Sequence, residues 1–156
     1  MAPESQLADF VCSWQAHDTP AAAQRITKLV ALASLGTGVA GAGEDGIDAL
    51  RQLLLSRGGL PQARSLVFGD RLPAVAAAQL NGTMCRALDY CDAMAPGIHI
   101  GSSLLPAALV VGNEVGARFN LSEALYDGFD PTGVAIVFAS TAAACHVLRL
   151  SPRQTV

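Results

Sequence analysis

Leu7, Phe10, Val11 and Trp14 recur at i, i+3, i+4 and i+7, the one-sided stripe of an amphipathic helix, and Pro3 with Glu4 suits its first turn. A second helix opens with Thr19 as N-cap and Pro20 at its first position, carries Ile26, Leu29, Val30 and Ala33 along one side, and is expected to stop at Gly36, Gly38, Gly41 and Gly43. A third begins around Glu44, Asp45 and Asp48, whose charges suit a helix N-terminus, and ends at Arg57-Gly58-Gly59. Ala63 to Phe68, closed by Gly69-Asp70, reads as one strand-like piece with little to pair with. From Pro73 a long Ala-rich helix carries Ala77, Leu80, Met84 and Leu88 on one side towards Asp89-Tyr90, and Gly82 inside it predicts the close approach of a neighbouring helix.

After a loop with Pro96-Gly97, Ser102 to Phe119 reads helical, with Gly112 and Gly116 as a close-packing face. Asp127-Gly128 is a turn, and Thr132-Gly133 leads into a last long helix, Val134 to Leu150. Ser151-Pro152-Arg153-Gln154 then has the layout of a capping box, yet only two residues follow. A helix announced and dropped after one turn points to a piece of something longer, since an isolated turn has little stability of its own. The pattern predicts an all-α chain, a helical bundle forming a single, incomplete domain over residues 1–156, with at most one short strand-like segment.

Composition narrows the function classes. Ten basic residues against thirteen acidic ones leave a net charge of −3, and Lys28 is the sole lysine. Nucleic-acid binding needs a clustered basic face, so no nucleic-acid partner is expected. Val134 to Val147 is apolar but too short for a spanning helix, which argues against a membrane. The first residues have neither a basic n-region nor an apolar h-region, so a cytoplasmic location is expected. Cys12, Cys85, Cys91 and Cys145 are widely spaced, fit neither a disulfide framework nor a zinc pattern, and read as thiols acting as small core residues.

Four places could carry chemistry. Gly36-Thr37-Gly38-Val39-Ala40-Gly41 matches G-x-G-x-x-G, but a capped helix precedes it where a dinucleotide site needs a strand. It reads better as a glycine-rich connection between helices, and a nucleotide-binding oxidoreductase would rest on this match alone. Asp89, Asp92 and His99 lie within eleven residues, and two carboxylates three apart can share a helix face beside an imidazole able to move protons. On residue types alone a solvated helix end explains them as well. A metal there is disfavoured, because hard cations want more oxygen ligands and zinc a further nitrogen or sulfur, which only Cys91 could supply. His17 and His146 read as ordinary surface or structural histidines. Asp130-Pro131-Thr132-Gly133 puts an acid and a hydroxyl before a helix N-terminus, where an anion can be held, although a plain N-cap is the simpler explanation.

These residues also carry a resemblance. Asn81-Gly82-Thr83, Ala87-Leu88-Asp89-Tyr90-Cys91-Asp92, His99 and Leu105-Pro106-Ala107-Ala108 resemble the N-terminal helical domain of the MmgE/PrpD family. Leu35-Gly36 to Gly41 is similar to the family's helix exit, Gly112-Asn113-Glu114-Val115 to its Gly-Tyr-Glu-Val helix, and Gly128-Phe129-Asp130-Pro131-Thr132-Gly133 to its Gly-Phe-His-Pro-Thr-Gly turn. The resemblance implies a cofactor-independent lyase or isomerase, typically a homodimer, that dehydrates, decarboxylates or epimerises a small carboxylic acid by proton transfer beside a carboxylate. It implies His99 and Asp89 as catalytic residues, and Asp92, Asp130 and Thr132 as substrate-binding or supporting ones.

The departures from the family pattern are specific. Cys91 stands where the family has Asp, Ala93 where it has Thr, and Ile100-Gly101 follows His99 in place of Pro-Ser. Asp130 replaces a second histidine. An acid there repels a polyanion, by roughly a few kcal/mol when desolvated, and predicts a less anionic substrate than citrate-like acids. The stretch from Pro106 to Gly112 is about one helix shorter than the family pattern, and the lid domain would lie beyond Val156. The short chain is therefore expected to be inactive alone. The alternative is a non-catalytic helical fragment or subunit that hides its apolar faces by self-association.

Overall fold

The computed structural model describes residues 3–15, 17, 19–90, 92–93, 99 and 131–155. Its elements are α1 (Pro3–Ser13), α2 (Ala21–Gly41), α3 (Ile47–Ser56), β1 (Ala63–Arg64), β2 (Arg71–Leu72), α4 (Ala74–Arg86), α5 (Pro131–Val147) and α6 (Pro152–Thr155). The fold is mostly α, as the apolar periodicity predicts. The strand-like piece does find a partner: Ala63 lies opposite Leu72 and Arg64 opposite Arg71 in a small antiparallel ladder. Gly69, at φ 77°, turns the chain back between them. The predicted helix at Ser102–Phe119, with Gly112 and Gly116, and the turn at Asp127-Gly128 lie outside the described residues. No described helix is long and apolar enough to cross a membrane.

The chain divides into two compact units, Leu32–Cys91 and Met1–Ala31 with Asp92–Val156. In the first, α4 buries Ala77, Leu80, Asn81, Met84 and Cys85, at i, i+3, i+4, i+7 and i+8, the stripe of a core-facing helix. Leu80 and Met84 pack with Ile47 and Leu54 of α3 and with Leu72 of β2. Gly46 enters α3 at φ 85°, and Gly58 and Gly59 leave it at φ 62° and 113°, conformations that suit glycine.

Two expectations about glycine are corrected here. The helix α2 does not stop at Gly36 but runs through Gly38 to Gly41. The reason is proximity: a Cβ on Gly38 would stand 3.1 Å from the Cys85 sulfur, and one on Gly41 would collide with the Met84 carbonyl. A close approach to α4 therefore repays the entropic cost of helical glycine. Gly82 was the expected contact point on α4, yet among the described residues a side chain there would meet nothing within 4 Å. The predicted α2 stripe also fails to define its packed side. Ile26 and Leu29 are 58% and 52% exposed, and the buried positions of α2 are Ser34, Gly38 and Gly41. Nor does Thr19 cap the helix, since its hydroxyl has no hydrogen-bond partner among the described residues; its carbonyl instead accepts from the Gln24 side-chain amide at 2.9 Å.

The turn between β1 and β2 is held by polar groups. Arg51 grips the Asp70 carboxylate with Nε and Nη2, the latter at 2.9 Å from Oδ1, while its guanidinium lies 4.8 Å from the centre of the Phe68 ring. That hydrogen-bonded pairing holds the Asp70 carboxyl below the usual carboxylate range and raises Arg51 further. Buried Ser65 accepts from the Asp70 amide at 3.0 Å. From α4, Asn81 Oδ1 accepts from the Leu66 amide at 2.9 Å and its Nδ2 donates to the Arg64 carbonyl at 3.2 Å.

In the other unit, Val11 of α1 packs with Ala142 and Cys145 of α5, flanked by Leu7, Phe10, Trp14 and Leu150. This is the stripe the sequence predicts for the first helix. The end of α5 is closed by a paired turn in which Leu150 N–H donates to the Cys145 carbonyl at 3.0 Å and Arg149 N–H to the His146 carbonyl at 3.1 Å. Arg149 takes the left-handed position, φ 54°, that such turns commonly give to glycine. One half of the predicted capping box forms at α6, where Gln154 Oε1 accepts from the Ser151 amide at 3.0 Å.

Candidate functional site

The helix α4 delivers Asp89 just past its last turn. Asp89 N–H donates to the Arg86 carbonyl at 3.0 Å, and the residue adopts φ 55°, a left-handed conformation that Asp tolerates better than most side chains. Its carboxylate is exposed and pairs with Arg86 Nη2 at 3.1 Å. Asp89 is thus partly a helix-end residue, with its charge turned to solvent and neutralised locally. It belongs to the unit Leu32–Cys91.

Asp92 and His99 belong to the other unit, and the chain brings these two together. The His99 Nδ1 is 2.7 Å from the Asp92 main-chain carbonyl. A carbonyl only accepts, so Nδ1 carries the proton and Nε2 is the basic nitrogen of the neutral ring. Both residues are half-buried. A half-buried imidazole with one nitrogen anchored to the main chain has a fixed tautomer, which general acid–base work requires. The contact of His99 with Asp92 runs through the Asp92 main chain. Asp130 and Cys91 lie outside the described residues, and Thr132 lies in the first turn of α5. Among the described residues no group of His, Cys, Asp or Glu side chains could hold a metal ion.

The sequence model of the MmgE/PrpD N-terminal domain matches residues 5–129. The chain belongs to the MmgE/PrpD family. No curated protein matches it. Within an MmgE/PrpD domain the glycine run at Gly36–Gly41 has a plain meaning. It is the last turn and a half of α2, made of glycine where α4 comes close, and no strand precedes it among the described residues. The dinucleotide alternative thereby loses the strand-to-helix turn it needs.

Two polar arrangements escaped the reading of the sequence. Asn81 appeared as part of a family motif without a physical role; an amide inside the buried stripe of α4 was the available signal, because such a group must find partners. The second lies between α1 and the end of α5. His146, as expected for a structural histidine, places Nδ1 2.9 Å from the Val11 carbonyl and stacks edge-on against Trp14 at 5.5 Å. Beside it opens a cavity of about 380 Å³ lined by Cys12, Gln15, Cys145, His146, Arg149 and Leu150. No spacing rule joins residues so far apart along the chain.

Proposed function

We propose that this MmgE/PrpD domain contributes an acid–base site to a cofactor-independent lyase or isomerase acting on a small carboxylic acid. The observation that carries the reading is the anchored His99 ring within a chain of this family. In the proposed step, His99 Nε2 takes the proton from the carbon next to the substrate carboxylate. The C–H electron pair moves into the carboxylate as an enediolate, which then collapses by loss of a leaving group or by reprotonation. Asp89 is assigned as the second catalytic group, and Asp92, Asp130 and Thr132 as groups that bind substrate or support the site. Asp130, an acid where the family has histidine, favours a substrate with fewer negative charges than citrate-like acids; efficient turnover of 2-methylcitrate or cis-aconitate by a protein carrying Asp130 would overturn that preference.

With Cys91, Ala93 and Asp130 in place of family residues, full turnover by this chain alone is not expected, so the test reads the proton step directly. Exchange of the carbon-bound hydrogen of small mono- and dicarboxylates in D2O is followed by NMR. The expected result is catalysed exchange that falls about 100-fold in His99→Ala, the usual contribution of a positioned acid–base group. Absence of both exchange and turnover with every such acid would overturn the catalytic reading.

A second reading is favoured by the exposure of Leu32 and Val39 on α2, at 68% and 66%. Large apolar groups left in water support a helical subunit that self-associates. Sedimentation of the wild type as a well-folded monomer would overturn it.

A further inference from the structure

The cavity beside His146 lies wholly within one unit and apart from Asp89, Asp92 and His99 in its lining. The described residues that line it are Cys12, Gln15, Cys145, His146, Arg149 and Leu150, with no Asp or Glu among them. The surrounding elements reinforce that imbalance. Residues 131–155 contain no acid at all but carry Arg149 and Arg153, and the acids of α1, Glu4 and Asp9, do not line the cavity. The Arg149 guanidinium has no ion pair or hydrogen bond among the described residues. It is also carried by a residue in the left-handed conformation, where glycine would close the same turn without strain. The backbone thus gains nothing from arginine at this position, and Arg149, exposed and without an acidic neighbour in the lining, gives a cavity of small-molecule size a fixed positive charge.

We propose that this cavity binds a small oxyanion, phosphate or carboxylate, with Arg149 as the charged anchor and the Gln15 amide as a further donor. A guanidinium offers paired donors to two oxygens of such a group, and charge-assisted bonds of this kind are the strong ones. Cys12 supplies a built-in reporter. Cys12 is half-buried and lines the cavity, and its thiol donates to the Leu150 carbonyl at 3.2 Å, so an occupant of the cavity covers the residue. Cys85, buried and with its thiol pushed up by burial, is an internal reference.

The experiment measures the rate of N-ethylmaleimide labelling at each cysteine by peptide mass spectrometry, with inorganic phosphate, with succinate, and with sodium chloride at matched ionic strength. The expected result is saturable protection of Cys12 by phosphate, succinate or both, without protection by chloride. Protection by phosphate alone assigns a phosphate ligand, and by succinate alone a carboxylate. In Arg149→Gly the protecting anion should bind about tenfold or more weakly. This variant keeps the turn closed, so its melting temperature should equal or exceed that of the wild type. Equal protection by chloride, no protection by either anion, or undiminished protection in a folded Arg149→Gly protein overturns the proposal. None of these outcomes depends on whether His99 is catalytic.

Discussion

The two units of this chain are held together by different means. In Leu32–Cys91, backbone meets backbone where Gly41 lies against Met84, and side chains of α3 and α4 reach across to fix the turn between the strands. In the unit of α1, α5 and α6, a small apolar cluster shares the work with single polar bonds from His146 and Cys12, and a cavity remains open beside them. The first arrangement leaves little room for change. The second leaves space, a charge and a half-buried thiol side by side, and ligands bind where such space is kept.

Substitutions can break this contrast. The largest effect is expected from Gly41→Ala, whose new methyl collides with the Met84 carbonyl, a main-chain atom that cannot rotate away. A loss of about 3 kcal/mol or more in urea unfolding is expected. Asn81→Ala should follow at about 1–3 kcal/mol, because it strands the Leu66 amide and the Arg64 carbonyl together. Unfolding close to wild type for either variant would show that the tight unit is not tight there.

Acid should then loosen the turn. Since Arg51 depresses the Asp70 carboxyl, the pair stabilises the fold above the unfolded-state value of about 4 and ceases to do so as pH falls through the lower folded value. The urea midpoint of the wild type should therefore drop below about pH 4 more steeply than that of Asp70→Asn, which starts lower and lacks this group. Parallel profiles would remove the pair from the account. The smallest effect belongs to the looser unit, where Arg149→Gly should gain up to about 1 kcal/mol by relieving its left-handed backbone. A loss instead would mean the guanidinium supports the fold.

Much of this organisation is legible in the sequence. The stripes of α1 and α4 name their own buried faces, because one packed side at helical spacing is a local signal. The α2 stripe misled because its tightest contact is made by glycine, which no hydrophobic periodicity registers. The β1–β2 pairing was hidden by strands of two residues, too short to show alternation. For the candidate site, the nearness of Asp89, Asp92 and His99 along the sequence stood out as a concentration of ionisable groups in a chain with few of them. The link from the His99 ring to a main-chain carbonyl was not, since every residue offers the same acceptor and only folding selects one.

The Asn81 side chain reads two peptide groups of a segment fifteen and more positions earlier, accepting from one and donating to the other. A relative with an aliphatic residue at 81 would therefore have to rewrite the path at 64–66 in the same evolutionary step, or carry two orphaned peptide groups until it did. Drift at these two places is coupled, and a survey of sequence variants should find them changing as a set.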